Sequence, residues 1–331
     1  MRIKTSIVAA VVLVVVGVVA TSLVRTGLFA RSHSGAKAQN LGLQGATNVA
    51  PSHEQESADA QLSERLKRIC SRADGDIGVA VIHVETGRAV AIEGAKQLPL
   101  YSVFKLPLAI AVLKGVEEKR LRLDQKVQIN PAEVVPGWQG NSDLWRKPVA
   151  RTVAELLELS LVRSDNTSSD KLLQLVGGPA AVTQRMRSLG FQHIDIHSTV
   201  REFASQPAKV NTGSAEEFAR LLAQLHKGQV VQPSQLSLLL GLMERTTIGE
   251  HRLRGNLPAG TKVADKTGTG DGGVATNDVG LITLPNGRGH LAMAVFISGS
   301  KLPVEAQEKL IADLARAAFD GHTSRDAAPT Q

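Results

Sequence analysis

Three short runs, in one order along the chain, hold the residue types of nucleophilic catalysis: Ser102-Val103-Phe104-Lys105, Ser164-Asp165-Asn166 and Lys266-Thr267-Gly268. The first places a hydroxyl and an amine three residues apart, so on a helix they share a face. A helix is expected to begin near Ser102, just after Leu98-Pro99-Leu100. Its macrodipole then favours negative charge developing on the hydroxyl. The residues that follow, 106–116, are apolar on nearly every side. A lysine desolvated there and set beside other cations has its pKa lowered, which lets Lys105 take the proton of Ser102. Either of the first two runs alone is weak, since Ser-x-x-Lys is common by chance and Ser-Asp-Asn equally suits a helix cap or turn. All three together make an acyl-transfer site the better reading.

The elements that must position these groups follow from periodicity. A helix is expected over 58–72, and two strands within 76–93 about the turn Glu85-Thr86-Gly87. Residues 150–243 read as mostly helical, with breaks at Gly177-Gly178-Pro179 and at Gly190. Strands return at 262–267, 275–284 and 290–298, with a turn at Pro285-Asn286-Gly287, and a last helix covers 303–319. Strands at both ends with helices between them predict an α+β (α/β) fold: one antiparallel sheet, flanked by helices and assembled from both termini, plus an all-α subdomain. The expected division is a catalytic domain over 58–320, with its α/β part at about 58–96 and 245–320 and its helical part at about 97–244.

The chain has 331 residues, 43% hydrophobic and 21% charged, which is ordinary globular usage and excludes a disordered or multi-span membrane protein. From Ile7 to Val24 there are 18 residues without a charge, preceded by Arg2 and Lys4. That is the layout of an export signal or a single membrane anchor within 1–30. A polar stretch over 31–57 reads as a linker, and 321–331 as a disordered tail. Cleavage is open: Ala36-Lys37-Ala38 has the small-residue spacing but lies well beyond the apolar run. The expected location is therefore periplasmic or secreted, with tethering through 7–24 if that segment is retained. Cys70 is the only cysteine, so there is no internal disulfide and no zinc site built on paired cysteines, and the residue reads as a small buried hydrophobe.

The net charge of +7 comes from 38 Lys and Arg interspersed with 31 acids rather than gathered in a stripe. With few aromatics to stack on bases, nucleic acid is excluded as a partner. A basic exported protein suits anionic polymers of the cell envelope instead. Gly268-Thr-Gly270-Asp-Gly-Gly273 formally fits a dinucleotide fingerprint, but it is followed by a strand pattern where the fingerprint needs a helix. His193-Ile-Asp195-Ile-His197 alternates three possible metal ligands along one face; an exposed strand or loop is the better account. Trp138 and Trp145 are read as rim packing or as a stacking wall for substrate.

With these residues in place, the chain resembles the class A β-lactamases over roughly 62–319. The resemblance is carried by Tyr101-Ser-Val-Phe-Lys-Leu-Pro, Ser164-Asp-Asn-Thr, Gly177-Gly-Pro, Thr246-Thr-Ile-Gly, Leu257-Pro-Ala-Gly, Lys266-Thr-Gly-Thr and Thr276-Asn-Asp-Val-Gly. It implies that Ser102 attacks a strained amide, that Lys105 and Ser164 relay protons, and that Asn166 holds the substrate's side-chain amide. It further implies that Lys266, Thr267, Gly268 and Thr269 line the strand edge that takes the substrate carboxylate, with Arg252 in support, and that the amides of Ser102 and Thr269 form the oxyanion hole. No metal or cofactor is implied, and the working form is a monomer acting on a small β-lactam.

One departure matters. Members of this class carry a glutamate, on the loop after the second motif, that activates the water releasing the acyl group. An ungapped count from Leu189-Gly190 reaches Val200, which cannot act as a base. The nearest acid is Glu202, which takes the role if the loop holds a two-residue insertion and otherwise supports the loop. The companion asparagine of the pattern is also missing, with Gln206 the closest amide. Should neither arrangement supply a base, the chain becomes a penicillin-binding D,D-peptidase-like protein acting on peptidoglycan, or a tethered β-lactam sensor that acylates and releases slowly.

Overall fold

The structure, a computed structural model, describes residues 53–135 and 144–323. The apolar run at 7–24, the linker up to residue 52, Trp138 and the tail from 324 lie outside the described residues. In chain order, α1 (His53–Cys70) leads into β1 (Asp76–His83), β2 (Ala89–Ile92), β3 (Leu98–Pro99) and α2 (Lys105–Glu117). β4 (Lys126–Ile129) and β5 (Val149–Thr152) precede α3 (Val153–Val162), α4 (Asn166–Val176) and α5 (Pro179–Ser188). Then come β6 (Ile194–Asp195), α6 (Val200–Ser205), β7 (Thr212–Gly213), α7 (Ala215–His226) and α8 (Pro233–Glu244). β8 (Val263–Thr269), β9 (Ala275–Thr283), β10 (His290–Ser298) and α9 (Val304–Thr323) close the chain.

The expected antiparallel sheet is present, in the order β2-β1-β10-β9-β8, so strands from both ends of the sequence lie side by side. β10 shows why both of its faces are buried. Its odd positions Leu291, Met293, Val295 and Ile297 pack against α1 and α9, through Leu62, Leu66, Leu310 and Leu314. Its even positions Ala292, Ala294 and Phe296 join the other core, where α7 supplies Phe218 and Leu222. Phe218 meets Phe296 edge to face, with ring centroids 5.5 Å apart. β8, which carries the third motif, is the edge strand.

Two helix boundaries show where the structure departs from expectation. The helix expected to start near Ser102 opens instead with a 3-10 turn over Tyr101–Phe104, and α2 begins at Lys105. Pro107 explains this: a helix begun at Ser102 would bury its missing N–H in the interior, whereas from Lys105 it falls in the first turn, where no N–H is needed. At the other end α9 runs to Thr323 rather than stopping at 319. Its last carbonyls are satisfied, because Arg288 Nη1 donates to the carbonyls of His322 at 3.2 Å and Thr323 at 2.8 Å. The small pairings β3-β7-β6 and β4-β5 escaped the periodicity reading because their strands are two to four residues long. Among the described residues no helix is long and apolar enough to cross a membrane.

Candidate active site

Ser102 lies on the 3-10 turn between β3 and α2, and Lys105 is the first residue of α2, fully buried. The turn is held against β8 by close backbone packing. A Cβ added at Gly268 would stand 2.4 Å from the Leu100 carbonyl oxygen and 3.1 Å from the Val103 nitrogen, so only glycine lets the strand edge come this near the nucleophile. Asn277 of β9 ties the same region, donating from Nδ2 to the carbonyls of Pro99 at 2.8 Å and Leu100 at 3.3 Å. Tyr101, immediately before Ser102, has φ +45°, and Ser164 has φ +53°. Both are non-glycine residues in the left-handed region, a strain that persists only where the surroundings enforce it.

The second motif sits where α3 ends and α4 begins. Asp165 caps α4: its Oδ1 accepts the Ser168 N–H at 2.6 Å, and its Oδ2 accepts Trp145 Nε1–H at 3.2 Å. Trp145 is 1% exposed, so it is neither rim packing nor a stacking wall but a core residue that props this cap. The left-handed backbone at Ser164 turns both its carbonyl and its hydroxyl to Lys105. Lys105 Nζ donates to Ser164 O at 2.6 Å and to Asn166 Oδ1 at 2.9 Å, and lies 3.1 Å from Ser164 Oγ. From the opposite side Lys266 Nζ of β8 reaches the same Oγ at 3.3 Å and donates to the Thr267 carbonyl at 2.8 Å.

Both amines are buried, and burial is the first cause of each one's shift. Burial, then the charge of Lys266, hold Lys105 well below the ordinary lysine value, against the pull of Asp165 and Asp170. Burial brings Lys266 down to about 8, with Asp278 and Asp265 opposing and Arg252 adding to the fall. Behind β8, Asp278 is driven well above the usual carboxylate range by burial and by neighbouring Asp265.

Arg252 is buried rather than at the surface. Its Nη2 donates to Thr269 Oγ1 at 2.8 Å, its Nη1 donates to the carbonyls of Gly268 at 3.1 Å and Asn277 at 2.9 Å, and Glu308 of α9 pairs with its Nε at 3.1 Å. Thr269 itself is exposed at the end of β8, where a ligand can reach it.

Glu202 is exposed at the third position of α6, where its carboxylate accepts the Thr199 N–H at 2.9 Å while Thr199 Oγ1 accepts the Glu202 N–H at 3.1 Å. This reciprocal cap holds the carboxylate at the first turn of α6. Sequence reasoning missed Asp170. One turn along α4 from Asn166, it accepts the N–H groups of Val200 at 2.8 Å and Arg201 at 3.0 Å and so docks α6 onto α4. Burial raises its pKa, against those two N–H groups and the charge of Lys105. Its spacing of four from Asn166 was the available signal, since the two share a helix face. His193, Asp195 and His197 do not gather into a metal site: both histidines are exposed and Asp195 pairs with Arg187 at 2.6 Å.

A serine beside a buried, depressed lysine, a second hydroxyl bridging to another lysine, and a glycine-thinned strand edge together define a serine acyl-transfer enzyme. Comparison with known proteins narrows the class. The model of the β-lactamase enzyme family matches residues 61–321. The β-lactamase VEB-1 of Pseudomonas aeruginosa is 30% identical over 80% of this chain and 91% of its own length. The extended-spectrum β-lactamase PER-1 of the same organism is 34% identical, covering 78% and 86%. The crystal structure of a β-lactamase from Chitinophaga pinensis superposes with a TM-score of 0.75 at 36% identity, covering 78% of this chain and 98% of that one. The chain belongs to the class A β-lactamases.

Proposed function

We propose that this enzyme opens the β-lactam ring through an acyl-enzyme on Ser102, with Lys105 as the base that takes the serine's proton and Glu202 as the base that activates the water releasing the acyl group. The observation that carries this is the buried Lys105 amine, held by Ser164 and Asn166 and depressed by burial and by Lys266. A neutral amine has two N–H groups, enough for Ser164 O and Asn166 Oδ1, and its lone pair is then left for a proton.

Lys105 takes the proton of Ser102 as Oγ attacks the β-lactam carbonyl carbon. The backbone N–H groups of Ser102 and Thr269 receive the developing oxyanion. The ring C–N bond breaks, and the proton passes from Lys105 through Ser164 Oγ to the leaving nitrogen, which returns the amine to neutral. Glu202 then takes a proton from water as the water oxygen attacks the ester carbonyl, and passes it to Ser102 Oγ as the ester C–O bond breaks. Charged Lys266, with Thr267 and Thr269, binds the substrate carboxylate, and Arg252 holds the Thr269 hydroxyl in place for it. Asn166 takes the substrate's side-chain amide. Export through the segment at 7–24 would place the enzyme where β-lactams arrive.

The test is steady-state hydrolysis of a chromogenic cephalosporin by the purified protein, with protein mass followed to exhaustion of substrate. Sustained turnover that ends in unmodified protein is expected. A single stoichiometric burst that leaves a persistent adduct would contradict the hydrolytic half of the proposal.

A further inference from the structure

At the end of the sheet away from the catalytic cluster, three metal-ligating side chains come together from separate elements. They are Glu85 of the β1–β2 turn, His226 at the end of α7 and His290 at the start of β10. One ligand atom from each lies within 4.8 Å of the other two. We propose that Glu85, His226 and His290 form a binding site for a divalent cation of the zinc type, a structural staple with no part in the acyl transfer.

The site is built rather than incidental. The Glu85 carboxylate is fixed from one side, where its Oε2 accepts the His290 backbone N–H at 2.9 Å and its Oε1 lies 2.8 Å from His290 Nδ1. Gly289 makes this possible: at φ +98° it wraps the backbone around the carboxylate, and a Cβ there would stand 2.1 Å from Glu85 Oε2. The His226 ring lies 4.0 Å from that of His290, centroid to centroid and tilted by 40°. Two imidazoles this close repel each other when protonated, whereas one cation takes both in the neutral form and balances the carboxylate. Two imidazoles with one carboxylate suit zinc and its neighbours and are poor donors for calcium or magnesium.

Neighbouring groups define the edge of the site. His83 stacks on His322 at 5.4 Å, but its nitrogens are engaged by the Arg288 carbonyl at 2.8 Å and by Thr86 Oγ1 at 3.0 Å, so it is not a ligand. Tetrahedral zinc sets ligand atoms about 3.3 Å apart; Glu85 and His290, 2.8 Å apart, are already close enough, so the adjustment falls on His226. His226, on the last residue of α7, is the one placed to move. In β10, His290 and Ser298 are the first and last residues, so the site lies about 25 Å along the strand from the end that faces the catalytic cluster. A bound ion would pin the β1–β2 turn to α7 and β10, raising stability without touching turnover.

The test is calorimetric titration of the untagged full chain with Zn2+ alone, repeated with Mg2+ and with two variants, and thermal unfolding measured alongside. One saturable Zn2+ per chain with a raised Tm is expected, with no saturable binding of Mg2+. His226→Ala and Glu85→Gln should each weaken Zn2+ binding by about tenfold or more and remove the thermal shift. Cephalosporin turnover of the parent protein should be the same with and without Zn2+. Absence of saturable Zn2+ binding, or affinity in both variants equal to that of the parent, would overturn the proposal. Loss of turnover on occupancy of the site would overturn its separation from the chemistry.

Discussion

Lys105 and Lys266 address the same hydroxyl: Ser164 Oγ stands 3.1 Å from one amine and 3.3 Å from the other. Two lysines buried this close together do not both stay charged easily, and the structure divides the burden. Lys105 is the more depressed and is left as a base, while Lys266, at about 8, keeps its proton near neutrality and serves as the cation for a carboxylate. The division follows from surroundings rather than residue type. Lys266 has the charges of Asp265 and Asp278 in its favour, whereas Lys105 has the charge of Lys266 against it, opposed by Asp165 and Asp170.

This division sets the pH dependence. Lys266 carries its charge below about pH 8 and loses it above, so kcat/KM for a carboxylate-bearing β-lactam should fall on the alkaline side with a midpoint near 8. Lys266→Arg keeps the charge throughout the accessible range, and its alkaline limb should move upward by more than one unit even if the plateau is lower. The check is a pair of pH–rate profiles. An alkaline limb unchanged in Lys266→Arg would assign that limb to another group.

Gly268→Ala should lower kcat/KM by about a hundredfold, because its Cβ would meet the backbone at Leu100 and Val103 and push the nucleophile turn away from β8. Stopped-flow acylation by a penicillin reads this directly, and the acylation step should bear the loss.

The buried helix after Ser102, though not its start at Lys105, the sheet drawn from both termini and the order of the three motifs were legible in the sequence, because period-2 and period-3.6 patterns report burial directly. Ser102, Lys105, Ser164, Asn166 and Lys266 could be singled out because residue type and short spacing carry their chemistry. What escaped was set by contacts between residues distant in sequence. Asp170 gains its role only when α6 docks on α4, and the burial of Arg252 depends on Glu308, 56 positions on, which pairs with it. Trp145 looked like a rim residue because nothing local reveals that its indole N–H reaches Asp165. At Glu202 a local motif was legible and was passed over: Thr199 three positions before it forms a capping box that sets the start of α6.

Glu202→Gln tests the second half-reaction. A glutamine still accepts the Thr199 N–H, so α6 should keep its start, but it cannot take a proton from water, and the rate of acyl release should fall by about a hundredfold or more. Single-turnover mass measurements on a penicillin give that rate. A release rate unchanged in Glu202→Gln would remove Glu202 from this step.

The central claim is that Ser102 becomes acylated. The most direct measurement is rapid-quench mass spectrometry after mixing with a penicillin, with the adduct located by proteolysis and compared with Ser102→Ala. A transient adduct of the penicillin's mass on the peptide holding Ser102, absent from Ser102→Ala, is the expected result. An adduct on another residue, or labelling and turnover that survive in Ser102→Ala, would contradict the mechanism.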